Sequence, residues 1–147
     1  MKMALEATNA AFMEALACAD AAAAAAVYAE NAKLLVPGMP MLEGRRAIER
    51  FWRTGIAKGI TGVKLQALEV EDADRIAHEV GRYWLWIEPD GGEWRSERGK
   101  YVVIHRRDLD GLWTWAVHIF NSDGDDRGSE SPRRPRSYAT HDTKEES

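Results

Sequence analysis

RIAHEVGRYWLWIE (residues 75–88), PDGG (89–92), KYVVIHRR (100–107), DLDG (108–111) and LWTWAVHIFN (112–121) follow one another in the second half of the chain. The long runs are rich in β-branched and aromatic residues, and the short runs carry Asp-Gly turn chemistry. Three strands joined by tight turns make an antiparallel meander. Gly81, inside the first strand, predicts a bulge or bend. Just upstream the hydrophobic period is already two: Val63, Leu65 and Ala67 alternate with Lys64 and Gln66. Leu68 and Val70 then take the opposite phase, which predicts a bulge between them and the preceding run.

Towards the N-terminus the period lengthens to that of a helix. Leu5, Asn9, Phe12 and Leu16 share one face of a helix over about 3–18. Asp20 is placed to cap a short alanine-rich helix running to Ala29, with Val27 and Tyr28 at its end. Residues 32–36 (AKLLV) read as a short strand, broken by Pro37-Gly38-Met39-Pro40. A third helix opens at Glu43-Gly44-Arg45-Arg46, shows an apolar stripe of Ile48, Phe51, Trp52 and Ile56, and stops at Gly59. Three helices with one short strand, then a meander, predict an α+β fold. A curved antiparallel sheet wraps the helices like a cone and leaves a cavity, a default ligand site.

The chain of 147 residues is long enough for one domain with a core and too short for two. That domain is assigned to 1–122. Residues 123–147, dominated by Gly, Ser, Pro and mixed charges, read as a disordered tail. A net charge of −4 argues against a nucleic-acid partner. No apolar run is long enough to span a membrane, and Glu6, Glu14 and Asp20 ahead of the alanine run argue against a secretory leader. The single cysteine, Cys18, leaves no internal disulfide and no cysteine-based zinc site. The expectation is a cytoplasmic protein with no metal and no cofactor.

The segments Tyr28-Ala29-Glu30-Asn31-Ala32, Val36-Pro37-Gly38, Glu43-Gly44-Arg45-Arg46-Ala47-Ile48 and Phe51-Trp52 resemble the first half of a nuclear transport factor 2-like domain. Glu79-Val80-Gly81-Arg82-Tyr83, Arg98-Gly99-Lys100-Tyr101, Asp110-Gly111-Leu112-Trp113 and His118-Ile119-Phe120-Asn121-Ser122 resemble its second half. The resemblance covers about residues 5–122 and lies nearest the SnoaL-like, ketosteroid-isomerase-like branch. It implies a cystatin-like cone, commonly a homodimer, and a superfamily in which isomerases, dehydratases and polyketide cyclases sit beside pure binding domains.

Ketosteroid isomerase takes a proton with an aspartate and holds the enolate with a tyrosine and a protonated aspartic acid. By the resemblance those three positions fall on Val36, Phe12 and Val103, none of which can donate or accept a proton. Ketosteroid isomerase activity is therefore not expected.

Strand alternation started from Val103 turns Tyr101 and His105 into the cone, and Thr114, Ala116, His118 and Phe120 from the last strand. Glu79, Tyr83 and Leu85 share one face of their strand, its inward or outward sense left open. Glu79, His105 and His118 form a candidate carboxylate–imidazole acid–base set. Phe12, Val36, Trp52, Tyr83, Tyr101, Val103, Ala116 and Phe120 are candidate ligand contacts. Trp84 with Trp86, and Trp113 with Trp115, read as an outward aromatic patch and so as a homodimer interface. The function expected is a small-molecule pocket protein for an apolar or aromatic ligand. Its chemistry would be of isomerase, dehydratase or polyketide-cyclase type, worked by the His/Glu pair. The alternative is a non-catalytic ligand-binding or dimeric interaction domain.

Overall fold

The computed structural model describes residues 2–125. Three helices, α1 (Lys2–Ala17), α2 (Ala21–Ala26) and α3 (Arg45–Ala57), pack inside a six-stranded sheet. Its strands are β1 (Tyr28–Leu35), β2 (Leu42–Glu43), β3 (Ile60–Ala73), β4 (Ile76–Ile87), β5 (Arg95–Arg107) and β6 (Trp113–Asp125). The sheet order is β2-β1-β6-β5-β4-β3. The α+β cone is as expected, with one correction: β1 runs parallel to β6, so the sheet is mixed. A parallel neighbour cannot come from a tight turn, and nothing local in the sequence marks it.

The helices form for local reasons and stop for tertiary ones. α1 buries Leu5, Asn9, Phe12 and Leu16, the predicted stripe. Asp20 caps α2 through its carboxylate on Ala23 N–H at 3.0 Å. The expected run of α2 to Ala29 is not observed; strand geometry begins at Tyr28, four residues before the expected start. Helix propensity yields here to a partner strand, for Trp115 N–H donates to Val27 O at 2.8 Å and Tyr28 pairs with Trp115. α3 buries Ile48 and Trp52, and the Arg45 guanidinium donates to Tyr28 O at 2.7 and 3.1 Å, tying helix to sheet.

The meander matches its turns. β3 slips register between Ala67 and Glu69, where the hydrophobic phase changes. β5 starts at Arg95 rather than Lys100, since all of β4 down to Ile87 finds a partner. β6 continues to Asp125; the remainder of the expected tail, 126–147, lies outside the described residues.

A second register slip, between Ile104 and His105 of β5 opposite Val117 and Trp115 of β6, corrects the expected side-chain phase. The extra residue turns Trp115 into the core, fully buried, while His118 and Phe120 keep their inward sense. Trp86 is also buried, and Trp84 and Trp113 are half-buried. The expected outward patch of four indoles is therefore not formed: two of the four are buried and two half-buried. Burying Trp115 contributes instead to the monomer, on the order of 3 kcal/mol.

Candidate functional site

The cone closes on rings. Phe12 from α1 sits at its floor, with ring centroids 5.3 Å from Trp52, 4.7 Å from Trp115 and 6.2 Å from Tyr28. Val63 and Leu65 of β3, Tyr83 and Leu85 of β4, Tyr101 of β5, and His118 and Phe120 of β6 form the sheet wall, and Phe12 and Trp52 close it from the helices. Phe120 lies nearly parallel to Trp52, centroids 6.1 Å apart at 23°. The space left free is about 20 Å³, room for about one water molecule.

Two polar systems reach this cone. In the first, the buried Glu79 carboxylate accepts from three donor atoms. Asn9 Nδ2 donates to both oxygens at 3.1 and 2.9 Å, His105 Nε2 to one at 2.9 Å, and Tyr101 Oη to the other at 2.5 Å. Burial pushes the carboxyl pKa up, yet the hydrogen bonds from His105, Tyr101 and Asn9 outweigh it and hold Glu79 below the ordinary value. His105 Nδ1 is buried with no hydrogen-bond partner among the described residues. Glu79 and Asn9 also floor a separate hollow of about 400 Å³ between α1 and β3, rimmed by Lys2, Glu6 and Glu69.

In the second system, Trp52 Nε1–H donates to Tyr28 Oη at 3.2 Å, and Tyr28 Oη lies 2.8 Å from His118 Nδ1. Burial pushes the His118 pKa from 6.5 down to about 3, against a smaller opposing pull from the Glu79 charge. Burial likewise raises the Tyr28 phenol above its usual range.

The family model of the SnoaL-like domain matches residues 10–116. The chain belongs to the SnoaL-like domain family. Solved structures similar to it include a ketosteroid isomerase-like protein from Erwinia carotovora atroseptica, 18% identical with a TM-score of 0.71, covering 81% of this chain and 93% of that one. Another is an NTF2-like protein with a cystatin-like fold from Novosphingobium aromaticivorans, 18% identical with a TM-score of 0.71, covering 87% and 84%. A third is an NTF2-like protein of unknown function from Shewanella oneidensis, 15% identical with a TM-score of 0.66, covering 81% and 97%. At such identities the likeness shows the fold alone. No curated protein matches the chain significantly.

Within this SnoaL-like domain the candidate residues separate. Phe12, Trp52, Tyr83, Tyr101 and Phe120 line the cavity. Val103 is buried in the core between them, Val36 is half-buried at the core's rim, and the β6 bulge takes Ala116 off the wall. Glu79 and His105 meet directly, but His118 hydrogen-bonds Tyr28 instead of joining them. Glu79, Val103 and His118 sit side by side across β4, β5 and β6, so valine separates the two polar systems.

Sequence reasoning missed Tyr28 and Asn9 as partners. Asn9 had a signal, being an amide in an otherwise apolar helix stripe. Tyr28 had none, since its role depends on β6, some ninety residues away.

Among the described residues, one group could hold a metal ion: Glu69, Glu71 and His78, outside the cone and largely exposed. His78 Nε2 lies 3.2 Å from Glu69 Oε2 and 3.9 Å from Glu71 Oε1, so the three already satisfy one another when His78 is protonated.

No helix of the described residues is long and apolar enough to cross a membrane.

The two polar systems give the SnoaL-like domain an acid-sensitive interior. The unfolded chain protonates His118 near 6.5, whereas the folded state resists until about 3. Stability is therefore full above 6.5 and falls with pH below it, by about 1.4 kcal/mol per pH unit from this residue. Glu79, held low, adds a loss as pH falls through its folded pKa. Urea midpoints at pH 7, 6 and 5 are expected to drop steadily for the wild type and less steeply for His118→Phe. Equal slopes for both would refute the assignment.

Proposed function

We propose that the cone binds a small, flat, largely apolar molecule, and that the domain holds this ligand rather than transforming it by carboxylate base catalysis. The observation that carries this reading is the wall itself: aromatic and aliphatic side chains surround a cavity whose polar groups are nearly all spent. Tyr101 Oη donates to Glu79 and Tyr83 Oη donates to Glu97 at 3.2 Å. His118 Nδ1 lies 2.8 Å from Tyr28 Oη.

The acid–base set of Glu79, His105 and His118 suits an isomerase, dehydratase or cyclase only if the carboxylate has an open lone pair. Four donor contacts and a lowered pKa leave Glu79 a poor base. Phe12 and Val103, where the resemblance places the isomerase hydrogen-bond donors, are buried hydrocarbon.

With about 20 Å³ free, a ring-sized guest must displace a side chain. The half-buried Phe120 is the mobile candidate, since it lies at the edge of the core against Trp52 and Phe51. Ligand-observed NMR with bicyclic aromatic compounds is expected to show binding to the wild type and tighter binding to Phe120→Ala, whose cavity is already open. Loss of bound signal when Leu65, a lining residue beside Tyr83, is changed to Trp would place the guest in the cone. Undiminished binding in Leu65→Trp would place it elsewhere and sink the proposal.

A further inference from the structure

On the outer face of the sheet the β3 bulge gathers two carboxylates and an imidazole. β3 is an edge strand. Its Val63, Leu65 and Ala67 pair with Leu85, Tyr83 and Gly81 in the inward phase. The register slip after Ala67 inserts one residue, so that Glu69 pairs with Val80 and Glu71 with His78. Without it Glu69 would pair with Glu79 and turn inward. Residues directly opposite in a ladder share a face, and so do residues two apart on one strand. The bulge therefore places Glu69, Glu71 and His78 together on the face away from Glu79. Spacing in the sequence does not mark the group, because only the β3–β4 register joins it.

The side-chain ends converge as well. His78 Nε2 lies 3.2 Å from Glu69 Oε2 and 3.9 Å from Glu71 Oε1, and one ligand atom from each residue lies within 4.8 Å of the other two. Zinc bound at about 2.0–2.2 Å in a tetrahedron holds its ligand atoms about 3.4 Å apart. Small rotations of the exposed carboxylates close the difference. Among the described residues His78 is the only ion-pair partner of Glu69 and Glu71. When its ring is neutral, no cation offsets two like charges on one strand face. Charges on an edge strand also keep it from pairing with another sheet, but that role needs exposure alone, not three ligand atoms meeting at one point.

We propose that Glu69, Glu71 and His78 bind a late first-row divalent ion of the zinc type, with water completing its shell. The imidazole nitrogen favours zinc, nickel or copper over magnesium and calcium, which prefer all-oxygen shells. All three side chains reach solvent, so the ion has a way in and room for its waters. Bound there, it ties the edge strand to β4. The site lies on the opposite side of the sheet from the cone and stands independently of any guest there.

Isothermal titration of the full chain with ZnCl2, together with nitrogen-15 NMR of the imidazoles, tests this. The wild type is expected to take up zinc at this site with a shift of the His78 Nε2 resonance, assigned by its loss in His78→Ala. His78→Ala and Glu71→Gln, both surface changes, are each expected to weaken binding at least about tenfold, the loss of one ligand. His141→Ala, a control for the histidine near the C-terminus, is expected to leave binding unchanged. An equal concentration of MgCl2 is expected not to displace zinc. No uptake at millimolar ZnCl2, an unmoved His78 resonance, or full affinity in His78→Ala overturns the inference. So does loss of binding in His141→Ala, or displacement by MgCl2, which would reduce the group to a patch of negative charge.

Discussion

Glu79→Ala is expected to cost the domain about 3–5 kcal/mol, the penalty for removing one partner from a buried charged network. Among the described residues the carboxylate accepts from His105 Nε2–H, Tyr101 Oη–H and an Asn9 Nδ2–H shared between its two oxygens. Deleting it leaves three residues with donors that have lost their acceptor. Small domains have about 5–15 kcal/mol in total, so the variant is expected to be largely unfolded at a urea concentration the wild type tolerates. Glu79→Gln should be milder, keeping one acceptor oxygen but setting an amide N–H against a donor. The double change Glu79→Leu with His105→Leu should recover much of the loss, because hydrocarbon of similar volume leaves fewer donors stranded. Urea midpoints for the set decide it. A shift below about 1 kcal/mol in Glu79→Ala would mean the carboxylate is not bound as described.

Gly81→Ala is expected to be nearly as damaging, for a steric reason. A Cβ at this position would lie 2.5 Å from Gln66 O and 2.5 Å from Tyr101 Oη. The carbonyl belongs to the neighbouring strand and cannot move without breaking the ladder. The Tyr101 ring, lying across Gly81 from the adjacent strand, would have to lift, and its hydroxyl would leave Glu79. Overpacking plus that lost bond amounts to about 3 kcal/mol, a fall in Tm of roughly 10 °C for a domain of this size. A fall of less than about 2 °C would show that the ring has somewhere else to go. The position opposite repeats the arrangement: Gly99 pairs with Tyr83, whose ring would lie 2.6 Å from an added Cβ. Glycines at both places let two tyrosine rings lie flat on the inner face, and those rings make the cavity wall.

Much of this molecule could be read from residue order, and what could not shares a cause. The phase change at Leu68 announced its bulge because both phases are visible within one strand. The inward sense of Tyr101 and His105 followed from alternation once the resemblance had set Val103 inward. Gly81 was marked as irregular, though its reason is an aromatic ring across the strand. Trp115 was misplaced because the β6 bulge shows only against the register of β5. Tyr28 looked helical because six alanines precede it, and only β6 makes it a strand. β2, two residues long, is too short to have a period. Within the site, His105 and Glu79 were named without their donors, since Asn9 lies 70 positions from Glu79. Local patterns were legible; hydrogen bonds between distant segments were not.

The position of β6 between β1 and β5 has a consequence for how the molecule is made. A nascent chain emerges with β1 first, yet the place beside it must stay vacant until Trp113 onward has left the ribosome. Until then β1 with its short hairpin partner and the β3–β4–β5 meander are two fragments with raw edges, and Phe12 and Tyr28 have no Trp115 to pack against. β6 is thus the keystone of the domain. Assembly waits for it to emerge, with slow kinetics set by its long-range pairings.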